Sequence, residues 1–201
     1  MPTPDNNGPD ARAFRETAIA LGGNMGDPPS KFLEVEAALA ENPRFLLKAK
    51  SSLWLTEPVG GPPGQDPYHN MVMVLDTDLS PEDLMETLLA LETRLGRVRR
   101  ERWGPRVIDI DVLYVDDLLS SDPRLLLPHP RMAERAFALL PLAEVNPRYV
   151  HPGTKLSVSE MIARLDPDGP EVRRLEGPPN PAGAETARKK NRDGPDAGGR
   201  L

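Results

Sequence analysis

The stretch Gly96–Val115, GRVRRERWGPRVIDIDVLYV, restricts what this chain can fold into more than any other. A helical pattern stops at Gly96. Five arginines (Arg97, Arg99, Arg100, Arg102, Arg106) then crowd around Trp103, and a strand pattern follows. Side chains alternate faces along a strand, so Asp109 and Asp111 share one face and Ile108, Ile110, Val112 and Tyr114 are predicted on the other. The apolar set belongs on a core, and the two carboxylates project together away from it. Paired hard anionic ligands downstream of bidentate cations suit a polyphosphate with its magnesium. An arginine cluster alone reads as a solvated face or a nucleic-acid patch, and an isolated Asp-x-Asp as chance. Joined by the single turn Trp103-Gly104-Pro105, the two point to phosphoryl chemistry.

The remaining elements follow from spacing and punctuation. Thr17–Leu21 reads as a buried strand that runs into Gly22-Gly23. Asp27 and Pro28 then open a helix whose apolar positions include Phe32, Val35 and Leu39. The glycines of Gly22–Gly26 would suit a backbone loop close to a ligand, but on sequence alone a plain strand-to-helix turn is the better reading; no Gly-Lys-Ser/Thr follows to make a Walker A motif. Phe45–Thr56 reads as one long strand bent at Ser51-Ser52, and Tyr68–Asp78 as the next. The Gly/Pro-rich loop Glu57–Pro67 lies between them. Ser80-Pro81-Glu82-Asp83 caps a helix with Leu84, Leu88, Leu91 and Leu95 on one face, and Gly96 supplies its left-handed stop. Leu125–Leu127 is a short apolar piece, Met132–Val145 is helical with a break near Pro141, and Val158–Leu165 is a last helix. Strand, helix, strand, strand, helix, strand predicts an α+β fold, a ferredoxin-like sandwich: an antiparallel sheet with helices packed on it, both main ones on one side.

Composition limits the function classes. The chain has 201 residues, 24 prolines and 16 glycines, and its ends hold most of the apolar deficit. Residues 1–16 and 176–201 are therefore expected to be disordered, with a single domain at 17–175. A net charge of −6 argues against a general nucleic-acid binder, and 4% aromatics leaves few rings for base stacking. The absence of cysteine removes disulfides, thiolate nucleophiles and thiolate-bound metals, and suits a cytoplasmic protein. No apolar run approaches the ~18 residues of a membrane span, and no signal peptide is visible. Two alternatives to an enzyme stand beside it. One is a non-catalytic nucleotide-binding regulator on the same sandwich; the other is an RNA-binding module.

A set of motifs stands in the order and spacing of one family: Ala20–Asp27 (ALGGNMGD), Glu57–Gly60 (EPVG), Tyr68–Asn70 (YHN), Gly96–Arg99 (GRVR), Arg102–Arg106 (RWGPR), Asp109–Asp111 (DID) and Pro128–Pro130 (PHP). Over roughly Thr17–Val158 the chain resembles the 6-hydroxymethyl-7,8-dihydropterin pyrophosphokinases of folate biosynthesis. The resemblance implies transfer of the β,γ-pyrophosphoryl group of ATP to the pterin's hydroxymethyl oxygen, giving AMP and the pterin diphosphate. It implies Asp109 and Asp111 as ligands of two magnesium ions, with Arg97 and Arg106 engaging the triphosphate as the other catalytic residues. An ATP site of Glu92, Arg99, Arg102, Trp103, Val112, Arg124, His129 and Arg135 is implied, and a pterin pocket of Thr56, Val59, Tyr68, Asn70 and Phe137. In that pocket Asn70 reads the ring edge and Phe137 stacks. Two loops, Pro58–Pro67 and Arg97–Trp103, match those that close over the substrates. The implied partners are the two small molecules alone, acting on a monomer. Pro130 departs from the pattern, standing where an aromatic is expected, as do Leu126 and Gly23 in place of hydroxyl residues.

Overall fold

The computed structural model describes residues 13–97 and 104–176. Arg99, Arg102 and Trp103, three expected ATP-site residues, lie outside the described residues, as do most of the two terminal segments. Among the described residues, eight strands and four α-helices follow in chain order: β1 Arg15–Gly23, α1 Pro28–Ala40, β2 Phe45–Lys50, β3 Trp54–Thr56, β4 Tyr68–Thr77, α2 Pro81–Arg94, β5 Asp109–Val115, β6 Ser120–Asp122, β7 Leu125–Leu127, α3 Ala136–Val145, α4 Val158–Ile162 and β8 Val172–Arg174. The main sheet runs β5-β1-β4-β3-β8, with β2 also paired to β4, and each pairing in it is antiparallel.

The sheet has a core on each side. Phe32, Val35 and Leu39 of α1 and Leu84, Leu88 and Leu91 of α2 bury one face over Ile19, Met73, Leu75, Ile110 and Val112. Both main helices therefore share a side, as their apolar stripes predict. The other face carries α3 and α4, which cover Ala18, Val72, Val74, Leu113 and Tyr114. The α1 start is capped by Asp27, whose side chain accepts from Ser30 N, and the α2 start by Ser80, which accepts from Asp83 N. Both helices carry proline in the first turn, where a missing N–H costs nothing.

Several expectations are corrected. Tyr114 does not share a face with Ile108, Ile110 and Val112. Between Ala18 and Ile19 the β1–β5 register slips by one residue, leaving Leu113 unpaired. Such a bulge breaks the period-two alternation. Tyr114 consequently turns to the second core and stacks on Tyr149, ring centroids 4.0 Å apart. The long strand Phe45–Thr56 is two strands, both on the same edge of β4, separated at Ser51–Leu53. Ser51 bridges the gap, its N–H donating to Val72 O at 2.9 Å and its Oγ accepting from Val72 N at 3.0 Å. The helix after Pro130 breaks at Arg135, not near Pro141: Met132–Glu134 is a single 3-10 turn, Arg135 is extended, and α3 continues through Pro141. β1 starts at Arg15, inside the segment expected to lack structure, because Arg15 and Glu16 pair with Thr77 and Asp76. β6 and β8 carried no recognisable sequence pattern and were not expected.

Candidate active site

The site is laid out by sheet register. Gly22 pairs with Asp109 on one side and Asn70 on the other, so these three form one rung across β5, β1 and β4. Two residues along, Ala20 sits between Asp111 and Val72. Alternation puts Asp109, Asp111 and Asn70 on the face that α3 covers only in part. The carboxylate pair and the amide therefore stand about 10 Å apart, two strand spacings, with a glycine floor between them. A Cβ at Gly22 would already meet Asn70 Oδ1 at 3.6 Å. Above this floor opens a cavity of about 530 Å³, lined by Thr56, Val59, Tyr68, Asn70 and Phe137 and also by Arg106, Asp109, Asp111 and Arg135. That volume is in the range of small-molecule and cofactor sites.

Loops are pinned to the floor by Asn24. Its amide donates to Asp66 O at 3.0 Å, and its carbonyl oxygen accepts from Arg106 N at 2.9 Å. Its own N–H donates back to Arg106 O at 2.9 Å. Gly23 makes this approach possible, since a Cβ there would lie 2.6 Å from Val107 O. Tyr68 closes the joint, its hydroxyl donating to Gly104 O at 3.1 Å. The Gly22–Gly26 segment, read from sequence as a plain strand-to-helix turn, is thus more than that: Gly22 lines the cavity and Asn24 ties two loops to its floor. At the end of the floor away from the carboxylates, the Asn70 amide donates to Thr56 Oγ1 at 3.0 Å and Tyr68 O at 3.1 Å.

The charged end is a cation–carboxylate network. Glu92, at the end of α2, is 1% exposed; it accepts from Arg97 and, at 2.5 Å, from Ile110 N. Arg97 Nη2 lies 2.7 Å from Asp109 Oδ1, and Arg106 pairs with Asp109 Oδ2. Arg135 Nη1 sits 3.4 Å from Asp111 Oδ2 and 3.4 Å from His129 Nε2, with its guanidinium 5.5 Å from the Phe137 ring centre. His129 is placed by its N–H donating to Leu113 O at 2.7 Å, and its Nδ1 accepts from Arg131 N. Burial, and then the neighbouring Asp109 charge, push the Asp111 carboxyl above its usual value. Burial likewise pushes Glu92 up and His129 down. Burial would lower Arg97, but Glu92 and Asp109 outweigh it and raise its pKa.

A divalent cation fits these carboxylates. Two hard oxygen donors share a face, and one of them is held in a surrounding that resists its ionisation, which a cation would relieve. Among the described residues no group of three metal-ligating side chains occurs. Such an ion would therefore take its other ligands from phosphate and water, the usual habit of magnesium.

Val112 and Arg124 stand apart from the cavity. Val112 is buried beneath the helices, on the opposite face from Asp109 and Asp111. The Arg124 side chain is 84% exposed and pairs with Asp122 at 2.7 Å. Sequence reasoning missed Arg131 and Glu134, which line the cavity on the turn before Arg135. Neither stands in a motif that marks a site.

Comparison with known proteins shows the family. Residues 18–147 match the family model of 7,8-dihydro-6-hydroxymethylpterin-pyrophosphokinase. A 2-amino-4-hydroxy-6-hydroxymethyldihydropteridine pyrophosphokinase of Methylorubrum extorquens is 44% identical over 153 residues, 76% of this chain and 95% of that one. The enzyme of the same name from Pseudomonas aeruginosa is 38% identical over 159 residues, 79% of this chain and 96% of that one. Among solved structures, Plasmodium falciparum HPPK-DHPS crystallised with pteroate superposes with a TM-score of 0.60 at 15% identity. That match covers 78% of this chain but only 44% of the longer one, and it speaks to the fold. On these matches the chain belongs to the 7,8-dihydro-6-hydroxymethylpterin-pyrophosphokinase family.

Proposed function

We propose that the cavity transfers the pyrophosphoryl group of ATP to the hydroxymethyl oxygen of 6-hydroxymethyl-7,8-dihydropterin, a step of folate biosynthesis. The observation that carries this reading is the rung Asp109–Gly22–Asn70, which sets a polyphosphate-type end and a heterocycle-type end on one floor. Asn70 and Thr56 read the ring edge, Phe137 offers a stacking face, and Val59 and Tyr68 shape the pocket mouth. The hydroxymethyl oxygen is thereby aimed towards the β-phosphorus. A bond forms between that oxygen and the β-phosphorus while the bond from the β-phosphorus to the α,β-bridging oxygen breaks; AMP leaves with the bridging oxygen, and the hydroxyl proton passes to solvent.

Arg97, Arg106 and Arg135 stabilise charge on the moving group, since guanidinium forks onto phosphate and stays charged. Glu92 holds Arg97 in position, and His129 and Arg135 line the nucleotide end. Asp109 and Asp111 would hold magnesium, one or two ions, which when bound neutralises the polyphosphate and acidifies the hydroxyl. Arg99 joins the nucleotide site on the strength of the GRVR motif, and Arg102 and Trp103 on that of RWGPR. The span 17–175 acts as the catalytic unit, a cytoplasmic monomer, with the two ends as appendages. Among the described residues no helix is long and apolar enough to cross a membrane. Following AMP release from ATP with and without the hydroxymethyl dihydropterin tests the reading. Pterin-dependent AMP is expected; AMP formed equally without the pterin, or none at all, would reject it.

A further inference from the structure

Beyond the family-matched span the chain returns to the same cavity. After α4, Leu165, Asp166, Gly169 and Pro170 line it alongside Thr56 and Phe137. This segment is shaped by its own bonds: Asp168 N donates to Asp166 Oδ1 at 3.0 Å, and Gly169 N to Asp166 O at 3.1 Å. β8 follows and pairs Val172, Arg173 and Arg174 with Thr56, Leu55 and Trp54, while Leu175 N donates to Leu53 O at 2.8 Å. The segment is thus strung between α4 and β3, the strand that presents Thr56.

One cluster of side chains ties these parts together. Glu144 of α3 accepts from Ser52 N at 3.1 Å, Ser52 Oγ at 2.7 Å and Trp54 Nε1 at 3.2 Å. Arg174 Nη2 donates to both Ser52 Oγ, at 2.7 Å, and Glu144 Oε1, at 3.1 Å. An exposed ion pair of this kind adds little to stability. Its effect is geometric, because a single guanidinium spans α3, the β2–β3 connection and β8.

We infer that Leu165–Pro170 is a fixed wall of the pterin half of the cavity, and that Arg174 is the residue positioning it, through Glu144 and Ser52. This inference rests on reading the cavity as the pterin site. Leu165 and Pro170 add apolar surface beside the polar pair Thr56 and Asn70, which suits a flat heterocycle with one polar edge. The wall shares the cavity with Asp109 and Asp111 but belongs neither to β5 nor to the arginine–carboxylate network, so the expected effect of loosening it falls on pterin binding and not on phosphoryl transfer.

The test titrates each substrate against wild type, Arg174→Ala, Arg174→Lys and Leu165→Ala, with melting temperature as the check on folding. Arg174→Ala and Leu165→Ala are expected to raise KM for the pterin by about five-fold, leaving kcat and KM for ATP within about two-fold. Arg174→Lys, which keeps the cation, should recover most of the loss. An unchanged pterin KM in a folded Arg174→Ala and Leu165→Ala pair would overturn the inference. So would an equal loss in kcat and both KM values, which marks a merely structural role. A wild-type protein that forms no AMP would instead overturn the proposed function beneath it.

Discussion

At the scale of single residues, a group placed to touch phosphate behaves differently on removal from one that only holds a neighbour in place. Arg106 pairs with Asp109 and lines the cavity. Arg106→Ala is expected to lower kcat by about 100-fold or more while ATP affinity falls far less, because the interaction strengthens as charge develops on the moving group. Equal losses in kcat and ATP binding would contradict that role. Glu92 acts through others. Its removal leaves the buried Ile110 N–H without its acceptor and Arg97 with one carboxylate fewer. Glu92→Ala should therefore cost about 3 kcal/mol of stability, read from denaturant midpoints. Gly22 was legible only as part of a turn. Its role as floor comes from the pairing of β1 with both neighbours, which no local pattern encodes. Gly22→Val should fold but raise the pterin KM by about ten-fold, by filling the space beside Asn70.

At the scale of elements, local signals were read well where they were strong. The α2 cap, proline, acidic first turn and leucine stripe gave that helix its limits, and the alternation of β5 put the two carboxylates on one face. Ser80→Ala should cost about 1 kcal/mol, seen as a lower denaturant midpoint with unchanged slope, since the Asp83 N–H then loses its cap. Unchanged stability would mean the helix start is held by packing alone. What was not legible was set by partners distant in sequence. The bulge at Leu113 comes from fitting β5 to β1 and to two cores at once. The extended Arg135 comes from docking the turn against Asp111 and His129. The three residues of β8 have no pattern of their own and become a strand only because β3 offers an unpaired edge.

For the whole molecule, the three histidines give a pH dependence with a definite sign. Burial lowers the pKa of His69, His129 and His151 below the usual 6.5. In His151 the reason is visible as well, since Nδ1 accepts from Gly153 N at 3.1 Å and Thr154 N at 3.2 Å and must stay unprotonated to do so. Below about pH 6.5 these three groups bind more protons in the unfolded chain than in the folded one, and the stability they contribute falls as pH drops towards the folded values. The Asp111 and Glu92 carboxyls, raised by burial, act in the opposite sense, so the histidine contribution is read by difference: between pH 7.5 and 5.5, His151→Gln should lose less melting temperature than the wild type. An equal loss in the two proteins would contradict this. The overall architecture, a sheet with both long helices on one side, followed from the order of elements. The second core, under α3 and α4, did not, because α4 and the turn before α3 are too short to show a period.

The central claim is that Asp109 and Asp111, beside arginines at one end of a floor that ends in Asn70, carry the transfer. The most direct measurement is single-turnover AMP formation by Asp111→Ala, with ATP, magnesium and the hydroxymethyl dihydropterin all saturating. A fall of about 1,000-fold or more in a variant that keeps its fold is the expected result. A rate near that of the wild type would place the chemistry elsewhere.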